Sequence, residues 1–446
     1  MTLMPLAVTG TNLAFPEIEA TFADTSRSVL SWALSGYSIV IAAFTLLGGQ
    51  LSDRWDAKRS FLVGLAVFAL ASLIAAVAPT PAGLIAGGSA QGVGGALMVP
   101  ASLLLAVSEF APTRRPLVIA VWTAAFPIGS ALAPTITAVV LQIGSWRWVF
   151  LVMAITSVAI GGVIATLPVT LDHGHQRDED EEARPDVLGI VLGTGAVALI
   201  ALAIVQGPSW GWLDPRTVLV AMVGVSLLPV FVRRSLRHPR PLMDLRLFEL
   251  RTYSVATTTN VFISMAGTSV WLIWPLVMTN QWGYSQLRVG LAISITPALA
   301  GSISVLSAKW AQANGYRWLL IPGSLFLLAA NLWYLIALGP EPDYLGTMLP
   351  GLVLYGIGMG LTFAPVNAAA LLEVPPSEYG QANAGFSTVR FLASALGIAA
   401  VIAAIGEGDD AFAGYDRAFA VLAVVSAAAV VLVATAWPRH RVAQAG

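Results

Sequence analysis

The sequence predicts an all-α integral membrane protein with fourteen transmembrane helices, and three observations support this fold class. First, 57% of the 446 residues are hydrophobic and only 11% are charged, whereas a soluble domain is about 25% charged. Second, apolar runs of about 20 residues, the length that crosses a bilayer, recur along the whole chain. Third, the roughly ten-residue alternating segments of a membrane β-barrel are missing from the sequence.

The predicted spans begin near the first residue and continue almost to the last. They cover residues 2–16, 29–51, 60–78, 84–107, 115–140, 148–168, 187–207, 216–233, 254–280, 289–311, 318–338, 345–372, 384–405 and 416–437. Each must be helical, because every backbone N–H and C=O in hydrocarbon needs a partner within the span. The first span reaches only about 24 Å at ~1.5 Å per residue. We therefore expect either that the sequence begins inside a longer first helix or that this helix is short or tilted.

The basic residues orient the chain in the membrane. Seventeen of the 23 lie in connections or at span ends on the side of residues 52–59, five lie on the other side, and Arg390 lies well inside a span. Cytoplasmic loops are enriched in Lys and Arg. The sequence therefore predicts a multi-pass protein of the cell (plasma or inner) membrane with both termini in the cytoplasm.

The composition also excludes several function classes. A net charge of −1 excludes a basic nucleic-acid binder, and the lack of cysteine excludes disulfide scaffolds and thiolate metal sites. The four histidines lie in charged segments, so we predict neither a metal nor a cofactor. The spans hold no Ser/His/Asp set or carboxylate pair, which predicts that the protein is not an enzyme. The phosphate-binding loop of an ATP-driven pump is also missing.

A weak internal repeat divides the chain. GGQLSDRWDAKR at 48–59 matches SAKWAQANGYRW at 307–318, and QGVGGALMVPAS at 91–102 matches YGIGMGLTFAPVN at 355–367. We predict an amino-terminal six-helix bundle at 1–168 and a carboxy-terminal one at 253–446. Between them, residues 169–252 hold an acidic loop, two linker helices and a basic segment that we expect at the inner membrane interface. Such repeats place a substrate path between the bundles, near the bilayer midplane.

The first copy of the repeat carries a candidate gating motif, made of Gly49, Asp53, Arg54, Lys58 and Arg59. Gly49 permits close helix approach. Asp53 can cap another helix or pair with an arginine when an inner gate closes, and the basic residues can hold the loop at the headgroups. The alternative is a basic loop without a gating role.

These residues resemble the major facilitator signature between helices two and three. Other segments are similar to the fourteen-helix drug:proton antiporter family of multidrug efflux proteins, namely Asn12 to Pro16, Gln91 to Gly94, Gly129 to Pro134, Trp146 to Phe150, and Arg390. In this resemblance Gly92, Gly94, Gly129 and Pro134 are helix-packing positions. It implies the major facilitator fold and a secondary active transporter that exports drug-like or lipophilic small molecules by alternating access. It further implies coupling to the proton gradient. Where the family signature has a glycine after Asp-Arg-x, this chain has Asp56, which tolerates the positive φ of such a turn.

Two positions that are charged in the family are Ala7 and Gly88 here, and all 24 carboxylates lie in loops or at span ends. Glu17 and Glu19 are the first candidates for proton coupling. One alternative is an uncoupled facilitator or a lipid or metabolite exporter of the same fold. Another, from a different class, is a non-transporting membrane scaffold or sensor. We expect a monomer in the lipid bilayer, with a small-molecule substrate, protons as the coupling ion and no nucleic acid.

Candidate substrate-path residues are polar, aromatic or charged groups within the spans. They are Asn12, Gln91, Trp122, Trp271, Trp274, Tyr355, Asn367 and Arg390. Trp271 and Trp274 share a helix face, and such an aromatic site suits a large apolar ligand, including a cationic one. Packing and interhelical hydrogen bonds are the alternatives. Arg390, about 12 Å into its span, can snorkel to the inner headgroups, pair with Glu373 or Glu378, or face the substrate.

Overall fold

A computed structural model describes residues 3–25, 27–30, 32–108, 110–111, 114–167, 186–238, 244–375, 378–405 and 411–437, and these residues contain helices and no strand. Seven long helices precede residue 211: α1 Leu3–Thr21, α2 Trp32–Arg54, α3 Ala57–Val77, α4 Pro81–Ser108, α5 Arg115–Ile143, α6 Trp146–Thr166 and α7 Val187–Trp210. The others are α8 Pro215–Ser235, α9 Arg251–Leu276, α10 Gln286–Ile293 with Ile295–Asn314, α11 Arg317–Ala337, α12 Leu349–Ala370, α13 Tyr379–Ile405 and α14 Ala411–Ala436. Short turns at Arg27–Leu30 and Leu245–Glu249 precede α2 and α9.

Each predicted span corresponds to one of these helices, which confirms the predicted fold class. In the described part of the chain, eleven helices are long and apolar enough to cross a membrane. The apolar parts of α1, α2 and α5 are shorter, at Leu3–Phe15, Gly36–Ser52 and Leu132–Ile143. Two spans extend as π-helical turns, Val277–Gln281 after α9 and Tyr344–Met348 before α12.

Several helices begin at a side-chain cap. Asp56 accepts a hydrogen bond from the backbone N–H of Arg59 at 3.0 Å, with φ −60°. The expectation of a positive φ at Asp56 is therefore wrong, because the residue acts as the N-cap of α3 in ordinary extended geometry. Asp186 caps α7 through the N–H of Gly189 at 2.8 Å and also accepts from Arg234 Nε at 2.6 Å. This ion pair, in which Asp186 is buried and Arg234 is half-buried, ties the first turn of α7 to the last turn of α8.

The helices form two bundles, each with its own apolar core. One core is built from α1–α6 and the other from α9–α14. The bundles meet mainly where α2 contacts α13 and where α5 contacts α10, and the α7–α8 pair packs on α2 and α13. The predicted bundle limits stay a prediction, and residues 168–185, with nearly all of the acidic loop, lie outside the described residues.

Equivalent close contacts recur in the two bundles. The backbones of Gly64 on α3 and Gly94 on α4 approach so closely that a Cβ on Gly94 would lie 2.7 Å from the Gly64 oxygen. Gly323 on α11 and Gly358 on α12 meet in the same way, with a Cβ on Gly358 placed 3.0 Å from the Gly323 oxygen. The paired positions are 259 and 264 residues apart. This correspondence supports the repeat that the sequence motifs indicate.

Candidate translocation path and inner gate

We call the end of the molecule that carries the α2–α3 turn the inner end. There, one apolar cluster, named here the inner cluster, contains buried residues from both bundles. The amino-terminal bundle contributes Leu103, Val107, Ile119 and Trp122, and the carboxy-terminal bundle contributes residues that include Tyr253, Tyr316, Ala382 and Phe386. Trp122, a predicted substrate-path residue, donates from Nε1 to Ser102 Oγ at 3.0 Å. The described residues therefore form a state in which the two bundles are in contact at the inner end.

The gating motif lies beside this cluster, where α2 packs on the first turn of α13. A Cβ on Gly49 would collide with the Cβ of Ala384 and lie 2.9 Å from the Gly380 oxygen, so this close approach requires glycine. The backbone of Asp53 is one turn further toward the inner end, level with the first N–H groups of α13, which have no partner within the helix itself. The helical backbone of Asp53 and Arg54 is described, but their side chains lie outside what the structure describes.

The two basic residues that follow have different surroundings. Lys58 Nζ donates to the carbonyls of Ala165 at 3.2 Å and Leu167 at 2.6 Å, so it ties α3 to the end of α6. These contacts do not support the expectation that Lys58 holds the loop at the lipid headgroups. Arg317 does the same in the second bundle by donating to the Ala434 carbonyl at 2.6 Å. Arg59 is exposed, with its guanidinium 5.7 Å from the Trp55 ring.

The predicted packing residues lie at helix contacts. A Cβ on Gly92 would lie 2.8 Å from the backbone carbonyl oxygen of Tyr37 on α2. Gly129 and Pro134 are buried on α5. Pro134 meets Gly290 of α10, where a Cβ on the glycine would lie 3.1 Å from the proline Cβ. This contact is nearer the outer end and belongs to the second contact surface between the bundles.

Four of the predicted substrate-path residues lie in or at the edge of the bundle cores. Gln91 Nε2 donates to Ser72 Oγ at 2.7 Å, and Tyr355 OH donates to Asn331 Oδ1 at 2.6 Å. Trp274 is fully buried, with ring centroids 5.2 Å from half-buried Trp271 and 5.3 Å from Tyr355. These contacts favour the packing and hydrogen-bonding alternatives for Gln91, Tyr355 and Trp274.

Asn12 has the opposite environment. It is exposed on α1, one turn from Val8, which is 44% exposed. The other face of α1 packs through Gly10 on Val149 and Met153 of α6. Glu17 and Glu19 are half-buried in the last turns of the same helix. The α1 face that carries Asn12 is therefore left uncovered by the bundle.

One face of α13 carries Asn383, Ser387 and Arg390, and we call these three residues the polar stripe. The first two are at most 1% exposed, and neither the Asn383 amide nor the Ser387 hydroxyl has a hydrogen-bond partner among the described residues. The Asn367 amide on α12 is buried in the same way. An unsatisfied buried polar group costs about 1–3 kcal/mol, which makes these positions candidates for function. The sequence analysis missed Asn383 and Ser387, although their i, i+4, i+7 spacing with Arg390 was a usable signal.

Arg390 lies deeper than the sequence suggests, because α13 begins at Tyr379. Eleven residues separate the two positions, or about 17 Å at ~1.5 Å per residue, which places Arg390 near the midpoint of the helix. Its Nη2 is buried, whereas snorkelling would expose the guanidinium. Glu373 Oε1 accepts from Thr252 at 2.7 Å, and Glu378 precedes the helix. The geometry therefore favours the third alternative, a side chain that faces the substrate path.

Outside the spans, one carboxylate at the inner end is electrostatically perturbed. Partial burial raises the pKa of Glu378, and the nearby carboxylate of Asp244 raises it further. Asp244 also donates from its backbone N–H to Gln381 Oε1 at 3.3 Å. This contact joins the segment between α8 and α9, of which residues 239–243 lie outside the described residues, to the first turn of α13.

The two helix bundles have separate cores, contact each other at a closed inner end and have buried polar groups between them. This arrangement defines a polytopic secondary transporter. The model of the Major Facilitator Superfamily matches residues 1–232 and 256–445. The chain belongs to this family, and it is a membrane transporter rather than an enzyme, as the sequence predicts.

Curated relatives cover most of the chain. It is 29% identical over 427 residues to the cephamycin export protein CmcT of Amycolatopsis lactamdurans, which covers 94% of this chain and 87% of that protein. It is 28% identical over 389 residues to the multidrug resistance protein Stp of Mycobacterium tuberculosis, with coverages of 87% and 71%. The puromycin resistance protein pur8 of Streptomyces alboniger is 29% identical over 405 residues, with coverages of 89% and 78%.

Solved structures share the fold at low identity. The human organic anion transporter MFSD10 superimposes with a TM-score of 0.70 at 16% identity, covering 97% of this chain and 96% of that one. The proton:xylose symporter XylE superimposes with a TM-score of 0.65 at 14% identity, covering 96% and 92%. These similarities bear on the fold alone.

Proposed function

We propose that this protein exports drug-like small molecules across the cell membrane by alternating access, as a monomer with both termini in the cytoplasm. The observation that carries the mechanism is the inner cluster, in which Leu103 and Trp122 of one bundle pack with Phe386 of the other. Separation of the bundles at this cluster opens the path to the inner side. The relatives named for cephamycin export, multidrug resistance and puromycin resistance support drug-like substrates.

In this mechanism the gating motif stabilises the closed inner end. Gly49 lets α2 reach the first turn of α13, and the backbone of Asp53 follows one turn further toward the inner end, where the α13 dipole is positive. A carboxylate in that position contributes about 0.3–1 kcal/mol when exposed and up to about 2 kcal/mol when partly buried. Rupture of this contact accompanies inward opening, so Asp53 affects the rate of transport rather than the affinity for substrate.

The energy source is a separate part of the proposal. Within the described spans, carboxylates lie within about two turns of a helix end, and Glu17 and Glu19 are the candidates for proton coupling. An uncoupled facilitator of the same fold is the second candidate, and it is favoured by Ala7 and Gly88 at positions that are charged in related antiporters. A proton antiporter exchanges substrate faster when a pH gradient is imposed, whereas a facilitator is indifferent to it.

The test is transport by the purified full chain in lipid vesicles, with a fluorescent lipophilic drug as substrate. We expect uptake into inverted vesicles, and a several-fold slower rate for Asp53→Asn with little change in substrate affinity. Gly162→Ala is the matched control, because no atom lies within 4 Å of a Cβ at Gly162. If the wild-type chain moved no substrate, or if Asp53→Asn left the rate unchanged, the scaffold alternative or a gate elsewhere would replace the proposal.

A further inference from the structure

We propose that the polar stripe of α13 binds the anionic group of the substrate, so that the substrates are amphipathic organic anions with a carboxylate or sulfonate. This inference rests on the proposed transport function and specifies its substrate class. It replaces the expectation, drawn from the tryptophans, of an apolar ligand that includes cations. The argument depends on where the stripe faces, on its chemistry and on its surroundings.

The stripe faces the space between the two bundles. On one side of α13, Gly380 and Ala384 contact Gly49 of α2. On another side, α9 donates to two carbonyls of α13, from Tyr253 OH to Ala382 at 2.9 Å and from Asn260 Nδ2 to Phe386 at 3.1 Å. Successive helix residues are about 100° apart. Asn383 and Arg390 therefore project midway between the α2 and α9 directions, with Ser387 closer to α2. Helix α4 of the first bundle contacts α13 as well.

The chemistry of the stripe selects an anion. Arginine stays charged in proteins, and its planar guanidinium matches a carboxylate in a bidentate pair. The Asn383 amide and the Ser387 hydroxyl add donors that have no partner among the described residues. A cation at this site would meet the Arg390 charge in a region of low dielectric, where repulsion is strong.

The surroundings supply the apolar part of the site. The Arg390 guanidinium lies 5.3 Å from the Phe391 ring centroid. Ala382 and Phe386, which alternate with the stripe along α13, belong to the inner cluster. A bound molecule that places its charged group on the stripe therefore has its body among apolar side chains, so the site requires an amphipathic ligand.

The stripe also connects the gate with the midpoint of the membrane. Asn383 and Ser387 are buried where the inner cluster is closed, and Arg390 is half-buried one turn further along the helix. Opening of the inner end exposes Asn383 and Ser387 to the inner side first. The anionic group then reaches Arg390, about 10 Å beyond Asn383 at ~1.5 Å per residue. The three residues act as successive donors along one path.

The experiment compares three probes that share an aromatic body: pyrenebutyrate, pyrenebutanol and pyrenebutylamine. Their binding to the purified full chain is measured by the change in pyrene fluorescence. We expect the wild-type chain to bind the butyrate at least about 10-fold more tightly than the alcohol, and the amine most weakly. Arg390→Gln should lose this preference, and its remaining binding of the alcohol shows that the variant is folded.

Two further variants refine the test. Arg390→Lys keeps the charge and should retain a reduced preference for the butyrate, and Asn383→Leu should weaken butyrate binding several-fold. Arg216→Gln, at an exposed position that begins α8, is the matched control and should behave as wild type. Equal binding of the three probes to the wild-type chain, or an unchanged preference in Arg390→Gln, would overturn the assignment.

Transport of the same probes separates this inference from the proposed function. If vesicles transport the probes without preference for the butyrate, the substrate class is wrong and the transport function stands. If the butyrate binds through Arg390 but no probe is transported, the transport function is wrong and the anion site stands.

Discussion

The contact between Gly49 and α13 gives a quantitative prediction for the inner gate. A methyl group at residue 49 would overlap Ala384 Cβ and lie 2.9 Å from the Gly380 oxygen, closer than real Cβ contacts allow. Overpacking of this kind costs about 1–3 kcal/mol. The strain exists only while α2 and α13 are in contact, because Gly49 is released when the bundles separate. Gly49→Ala should therefore increase the ratio of inward-open to closed molecules about 5- to 150-fold.

The lack of native cysteine makes this ratio measurable. A single Leu103→Cys places a thiol in the inner cluster, where Leu103 is fully buried. Its rate of labelling by a membrane-impermeant maleimide should increase in the Gly49→Ala background by the stated factor. Gly162→Ala should leave the labelling rate unchanged, and Ala384→Gly should restore slow labelling in part by removing the overlapping methyl group. Equal labelling of the Gly49→Ala and Gly162→Ala proteins would refute the assignment of residue 49 to the gate.

Three other predictions address the bundle core, the energy source and the inner-end carboxylate. Tyr355→Phe removes the hydrogen bond to buried Asn331 and should lower the free energy of unfolding by about 1–3 kcal/mol; an unchanged thermal unfolding curve in detergent would show that the bond is not structural. If the substrate is a monovalent anion, an inside-negative potential of about 100 mV contributes about 2.3 kcal/mol to export, or roughly 50-fold in concentration ratio. Vesicles with a potassium diffusion potential measure this change in the substrate concentration ratio. A ratio that does not change with the potential would contradict an exported anion. Glu378 has a raised pKa, so its contribution to stability is present below its ordinary pKa and is lost as the pH rises through the raised value. The thermal unfolding midpoint of Glu378→Gln should therefore vary less with pH over that interval than the midpoint of the wild type. Identical pH profiles of the two proteins would show that Glu378 does not contribute to this pH dependence.

The fold followed from hydropathy because each span must satisfy its own backbone in hydrocarbon. The start of α13 was placed too late, at residue 384 instead of Tyr379, because Gln381 and Asn383 interrupt the apolar run. The same error made Arg390 seem close enough to the headgroups for snorkelling. Helix boundaries in a membrane depend on neighbouring helices that shelter polar residues, and hydropathy alone does not contain that information.

The candidate site was predictable only in part. The gating motif was recognised from its spacing, and the structure places Gly49 beside α13. Gln91 and Tyr355 were predicted for the substrate path, but they form hydrogen bonds inside the bundles. A sequence shows that a span residue is polar but not which neighbouring helix it meets. The spacing of the polar stripe is visible in the sequence, but the contacts of α13 with α2 and α9 were needed to show that the stripe faces the space between the bundles.

The central claim is that the two bundles must separate at the inner end during each transport cycle. A direct test uses a chain with Leu103→Cys and Ala382→Cys, which lie in the inner cluster, one in each bundle, and are the only thiols present. Transport by the same preparation is measured after the two thiols are joined by a short bis-methanethiosulfonate reagent and again after reduction. The account predicts that transport stops when the cysteines are joined and returns when they are reduced. Transport at an equal rate in the fully cross-linked protein would contradict it.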